Sequence, residues 1–178
     1  MNSFYTDTEL KALGLKACGT DVLISKKASI YSPASISVGD HVRIDDFSIL
    51  SGRIEIGSYV HISAYVALYG SKGICIGDYA GVSARTTIYS AVDDFGGDYL
   101  IGPMCPEELT HVTGGTVYLK NYTQVGASSV IMPDLTLEEG AVVGAMSFVN
   151  RSLSEWSVNA GIPCRFLKSR SKNLLNKL

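Results

Sequence analysis

The sequence is short of several things. No apolar run approaches the ~18 residues that a membrane-spanning helix needs, so no span is expected. The N-terminal MNSFYTDTELKALG has no basic start followed by an apolar block, which argues against a signal peptide. Lys and Arg number 15 against 17 Asp and Glu, a formal charge of -2. There is no basic excess to hold a nucleic acid or an anionic membrane surface. Histidine is scarce: only His41, His61 and His111 occur. The four cysteines, Cys18, Cys75, Cys105 and Cys164, lie far apart and never as C-x-x-C. That argues against a zinc site and suits free thiols in a reducing cytoplasm. What is left is 46% hydrophobic and 18% charged, too apolar for a disordered chain. At 178 residues it is long enough to bury one real core.

Glycine, by contrast, is abundant, at 18 residues, and a repeat explains it. In residues 118–149, Leu119, Val125, Ile131, Leu137, Val143 and Val149 stand six apart without a slip. A strand repeats its buried face every two residues and a helix every 3.6. A period of six marks one side of a parallel β-helix, in which short flat strands are joined by sharp turns. Three such sides make a triangular coil, with the aliphatic residue pointing into the prism. Glycine often follows it, where a Cβ would hinder the corner: Val38-Gly39, Ile56-Gly57, Ile76-Gly77, Val125-Gly126 and Val143-Gly144. The frame starts at Ile24 and Ile30, runs from Val38 to Leu68 after a two-residue shift, and resumes at Ile76, Val82 and Ile88 after another. The expectation is an all-β chain of about five to six coils, each resting on its neighbours and needing capped ends. An ordinary β-sandwich would not hold a hexad frame over such lengths.

One domain is expected over 1–178: an N-terminal cap at 1–23, a β-helix at 24–150 and a C-terminal segment at 151–178. Thr6-Asp7-Thr8-Glu9 has capping-box spacing and leads into Leu10, Leu13 and a stopping Gly14, which predicts a short helix. The tail RFLKSRSKNLLNKL, with Phe166, Leu167, Leu174, Leu175 and Leu178 among basic residues, predicts an amphipathic helix. Between the two hexad runs, residues 89–116 break the frame. A long irregular insert in a compact domain is commonly functional. It does not fit inside the prism, so it must project.

Aliphatic-Gly hexads, an interrupting loop and the closing Ala160-Gly161-Ile162-Pro163-Cys164-Arg165 together resemble the hexapeptide-repeat acyltransferases, over nearly all of residues 24–168. The resemblance implies a left-handed parallel β-helix, acetyl-CoA as co-substrate, and a homotrimer with active sites in the grooves between prisms. The stretches SFYTDTELKALGLK, VLISKKASIY and RIDDFSILSG are further similar to the branch acting on dTDP-4-amino-4,6-dideoxyglucose. That branch implies N-acetylation of a nucleotide-linked amino sugar, in the cytoplasm, for surface polysaccharide synthesis.

A CoA thioester needs a groove with accessible backbone, and cations for its phosphates. Gly144 and the small residues Ala127 and Ala145 suit the pantetheine, and equally suit tight turns. Arg151, Arg165 and Lys168 lie where the resemblance puts the adenosine phosphates, and equally form a solvated basic end; Ile162 and Pro163, of the closing segment, are implied by the resemblance to bind the cofactor as well. The sugar O-acetyltransferases of the family carry a histidine base before the loop. Asp93 stands there instead, followed by Asp94, and the acceptor-holding asparagine of those enzymes falls on Ser63, beside His61. A carboxylate suits an amine, which needs only orienting and removal of one proton. Asp93 and Asp94 are also good turn formers. His61 and His111 stay candidates for the base, and Ser63, Tyr65 and Ser90 for acceptor binding. Two other classes stay open: an O-acetyltransferase of a polysaccharide or lipid-linked sugar, and a non-catalytic or metal-dependent β-helix. The metal reading is weak because His41 and His61 are out of register in the hexad frame. No metal ligand set is assigned.

Overall fold

The computed structural model describes residues 3–177. The chain winds as a parallel β-solenoid of about seven turns, with almost no helix. Each turn has three short sides, and the inward residues stack into three columns. Val38, Ile56, Ile76, Leu119 and Leu137 are register partners down the first face. Ile24, Ile44, Ile62, Val82, Val125 and Val143 descend the second. Ile30, Leu50, Leu68, Ile88, Ile131 and Val149 descend the third. Apart from the half-buried Ile30, these column residues are buried. Each fully buried aliphatic contributes about 1.5–3 kcal/mol, so the hexad frame read from the sequence is the core itself.

The expected five to six coils undercount the turns. Ala17–Cys18 adds a strand before the frame and Ser157–Ala160 one after it. Their residues in the inward columns are Cys18, which is exposed, and Asn159, which is buried and hydrogen-bonded. Neither carries the aliphatic signature: Cys18 is on an end coil with no neighbour beyond it, and Asn159 is polar, its amide satisfied by Ser157 Oγ and the Val142 carbonyl.

Corners make the prism possible. A Cβ at Gly126 would lie 2.4 Å from the backbone nitrogen of Ala145, so that position admits no side chain. Corners also carry non-glycine residues in the left-handed region; between the first and second faces these include His41, Tyr59, Tyr79, Tyr122 and Trp156. Such backbone costs about 1–3 kcal/mol per non-glycine residue. Their rings stack coil upon coil, at centroid distances of 4.6, 4.8, 5.5 and 6.0 Å, which offsets part of that strain.

At the third-to-first corner the solenoid accepts insertions. The two frame shifts, after Ile30 and after Leu68, fall there, and so does the long loop after Ile88. An insertion at an outward corner leaves the inner columns in register. The loop projects on a two-stranded stem, Ala91–Val92 antiparallel to Thr113–Gly114.

The N-terminal cap is a helix over Asp7–Ala12 with the capping box formed by Thr6 and Glu9, as its spacing predicts. The tail departs from expectation. Arg165–Ser169 is a strand running antiparallel to Ser157–Ala160, followed by a 3-10 turn at Asn173–Lys177. The last parallel strand leaves open backbone groups along its edge, and a returning strand satisfies them where a helix would not. Leu178, the last apolar residue of the expected helix, lies outside the described residues.

Candidate active site

The candidate residues fall into three groups. The first surrounds the loop. A cavity of about 620 Å³ opens between the loop and the third-to-first corner. Ser51, Tyr69 and Ser71 form its prism wall; Val92, Asp93, Cys105, Glu107 and Val112 are on the loop wall. The β-stem carries Asp93 there, one residue past its strand. Asp93 lines the cavity, and its carboxylate has no hydrogen bond or ion pair among the described residues.

Asp94 points elsewhere. Its two oxygens accept from the backbone N–H groups of Gly96, Gly97, Asp98 and Tyr99. Those bonds, the one from Gly96 foremost, hold its carboxyl below the usual carboxylate range. It is the knot that shapes the loop, which corrects its place among the catalytic candidates. Ser90 is corrected as well. It is fully buried, its Oγ accepts from the Lys72 N–H at 2.9 Å and donates to the Tyr69 carbonyl at 2.8 Å. A side chain so enclosed, its one proton already donated, is closed to an acceptor molecule. His111 is on the loop, but its ring packs at a tilt against Tyr99, with centroids 5.0 Å apart, while its neighbours Thr110 and Val112 line the cavity. The alternation of an extended segment turns it to the other side.

The second group lies along the corner between the second and third faces. His61 Nε2 is 2.8 Å from Asp45 Oδ2, and Arg43 Nε donates to Asp45 Oδ1 at 2.7 Å. Burial pushes the Asp45 carboxyl up, but these two partners prevail and hold it below its ordinary range. Ser63 follows on the same strand end, its carbonyl accepting from Ser48 Oγ at 3.0 Å. Tyr65 is half-exposed, stacked on Phe47 at 5.0 Å and under the Arg85 guanidinium. Ala127, Gly144 and Ala145 continue this corner in the next coils, where Met146 N–H donates to the Ala127 carbonyl. A Cβ at Gly144 would meet Ala160 at 2.8 Å.

The third group is the closing segment. Ile162 is exposed and precedes Pro163 through a cis peptide, and Cys164 is buried. Arg151, Arg165 and Lys168 are exposed, and Arg165 spends one N–H on the Cys164 carbonyl at 2.9 Å. Within this chain, then, Asp93 and the Ala127–Ala145 corner stand on opposite edges of the third face.

Several cavity residues escaped the sequence reading. Ser51 and Tyr69 each follow a third-face column residue, so the hexad frame could have placed them at the corner. Glu107 sits on a 3-10 turn in the irregular loop, where no period exists to locate it.

No protein-family model matches the chain. Among characterised proteins it is 40% identical over 176 residues to a dTDP-4-amino-4,6-dideoxy-D-glucose acyltransferase from Escherichia coli, covering 97% of this chain and 92% of that one. Among solved structures it is 50% identical to AntD, an N-acyltransferase from Bacillus cereus in complex with dTDP and 3-hydroxybutyryl-CoA, with TM-score 0.97 over 99% of this chain and 95% of the other. A serine-to-cysteine variant of AntD holds dTDP-4-amino-4,6-dideoxyglucose and coenzyme A, at 49% identity and TM-score 0.98, over 99% and 95% of the two chains. A hexapeptide-repeat acetyltransferase from Vibrio cholerae, complexed with acetyl-CoA, shares the fold at 20% identity and TM-score 0.63, over 96% and 81%. The solenoid, its loop and this likeness along almost the whole of both chains show that the protein belongs to the CoA-dependent hexapeptide-repeat acyltransferases, in the family of the dTDP-4-amino-4,6-dideoxyglucose acyltransferases.

Proposed function

We propose that this enzyme transfers the acyl group of acetyl-CoA to the 4-amine of dTDP-4-amino-4,6-dideoxyglucose, with Asp93 as the residue that positions the amine and takes its proton. The observation carrying the reading is the unpaired Asp93 carboxylate on a loop-walled cavity, in a chain 49% identical to an enzyme solved with that sugar nucleotide and CoA. The amine lone pair attacks the thioester carbonyl carbon. The tetrahedral intermediate collapses, the C–S bond breaks, and the proton lost by nitrogen passes through Asp93 to the departing sulfur. An amine that is partly neutral near pH 7 needs less help than a hydroxyl does, which suits a carboxylate in place of a histidine.

CoA would run along the corner of Ala127, Gly144 and Ala145, with its phosphates toward Arg151, Arg165 and Lys168 beside Ile162 and Pro163. The separation of that corner from Asp93 within one chain supports a site completed between two copies, as in a homotrimer. Ser63, Tyr65 and His61 would then face the acceptor from the neighbouring copy. The four free thiols and the need for acyl-CoA suit a cytoplasmic enzyme, its product serving surface polysaccharide synthesis.

The test is a panel of dTDP- and UDP-linked amino sugars and plain sugars with acetyl-CoA and 3-hydroxybutyryl-CoA, following thiol release. The dTDP-linked 4-amine should be preferred. Asp93→Asn should lower kcat by about 10²-fold, the lower end for a positioned base, with partial recovery as pH rises. Full activity in Asp93→Asn together with a dead His61→Ala would move the base to the His61–Asp45 pair and favour hydroxyl acetylation.

A further inference from the structure

The cavity beside Asp93 has a charge pattern that the reaction alone does not require. Two carboxylates line it, Asp93 and Glu107, and no Lys, Arg or His does. The remaining lining is glycine, apolar or neutral polar. A diphosphate would be repelled there by the two carboxylates and would meet no cation of this chain, so the nucleotide end of an acceptor belongs outside. A cationic or amine-bearing end is attracted. Glu107 comes from the opposite segment of the loop to Asp93. Its backbone is pinned, because its carbonyl accepts from both the N–H and the Oγ1 of Thr110. Its carboxylate has no hydrogen bond or ion pair among the described residues. The loop thus holds Glu107, an exposed and unengaged anion on a fixed backbone, among the residues that line the cavity.

We infer that Glu107 is the residue that selects an amine over a hydroxyl at the acceptor position, by holding the acceptor's ammonium form, which releases one proton to solvent before the neutral amine attacks and its second N–H proton passes through Asp93 to the departing sulfur. This rests on the proposed function above. The two carboxylates divide the work. Glu107 attracts the cation that predominates in solution, and Asp93 serves the neutral amine that reacts. A hydroxyl gains less from Glu107, since it can donate a hydrogen bond but carries no charge at any working pH. Selectivity arises from one anion on the loop, independent of how the thioester is attacked.

The experiment compares Glu107→Gln with wild type on the amine acceptor, and measures the inhibition constant of the matching 4-hydroxy nucleotide sugar. The KM for the amine should rise about tenfold near pH 7, the loss of one hydrogen bond between charged groups. The inhibition constant of the 4-hydroxy analogue and the kcat should stay within about threefold. The KM ratio of variant to wild type should fall toward one at a pH where the free amine is neutral, because only the ammonium feels the carboxylate. Glu108→Gln, next on the same turn but not on the cavity, should leave the amine KM unchanged. An unchanged amine KM in Glu107→Gln, an equal loss for amine and hydroxyl, or the same effect from Glu108→Gln would overturn the inference while the function stands. A wild-type enzyme inactive toward every nucleotide-linked amine would overturn both.

Discussion

Replacing Ser90 by alanine separates two roles for a residue at the root of the loop. Its side chain is fully buried, with Oγ 2.9 Å from the Lys72 nitrogen and 2.8 Å from the Tyr69 oxygen. The two bonds are not equal losses. The Tyr69 carbonyl keeps a second donor, the Ser90 N–H at 2.9 Å. The Lys72 N–H loses the acceptor shown for it, in a corner that also floors the cavity through Gly70 and Ser71. An orphaned donor costs about 1–3 kcal/mol. About 2 kcal/mol lowers Tm by roughly 4–8 °C for a chain of this size. Calorimetry with matched urea unfolding gives the stability change, and steady-state kinetics well below Tm gives the acceptor KM. The expected result is a lowered Tm with an acceptor KM within about threefold of wild type. An unchanged Tm with a tenfold higher KM would refute the structural role and return Ser90 to the acceptor site.

Two further predictions concern the scaffold. Thr123 is buried, its Oγ1 has no partner among the described residues, and Val60, Ala80 and Ala141 hold the equivalent position in neighbouring coils. Thr123→Val should therefore stabilise by about 1 kcal/mol, seen as a Tm rise of roughly 2–4 °C; a fall would mean that the hydroxyl is bonded. Glu9, bonded by Lys26 and then by Thr6, has its pKa lowered to about 2. A carboxyl depressed by folding contributes stability above its unfolded pKa and loses it as pH falls through the folded value. The wild-type Tm should decline between roughly pH 4.5 and 2 more steeply than that of Glu9→Gln. Parallel curves would show that the N-terminal cap does not carry the effect.

The solenoid follows from residue spacing alone. A buried aliphatic every six residues has one geometric solution, and Ile44, Ile62 and Val82 are register partners as that spacing demands. The spacing of Thr6 and Glu9 likewise fixed the first helix, because a capping box is a local bond between residues three apart. The tail was beyond such reasoning. Phe166 and Leu167 read as one face of a helix, but the open edge of Ser157–Ala160 recruited them into a strand. Only the tertiary structure told Asp93 from Asp94. The two are adjacent and identical in chemistry; one is bound by four loop amides and the other is left facing the cavity. Glu107 was equally out of reach, since its place depends on how an aperiodic loop folds back over a corner built from coils far away in the chain. Periodic burial is written locally and repeats, whereas a site on the loop is set by contacts between segments that share no pattern.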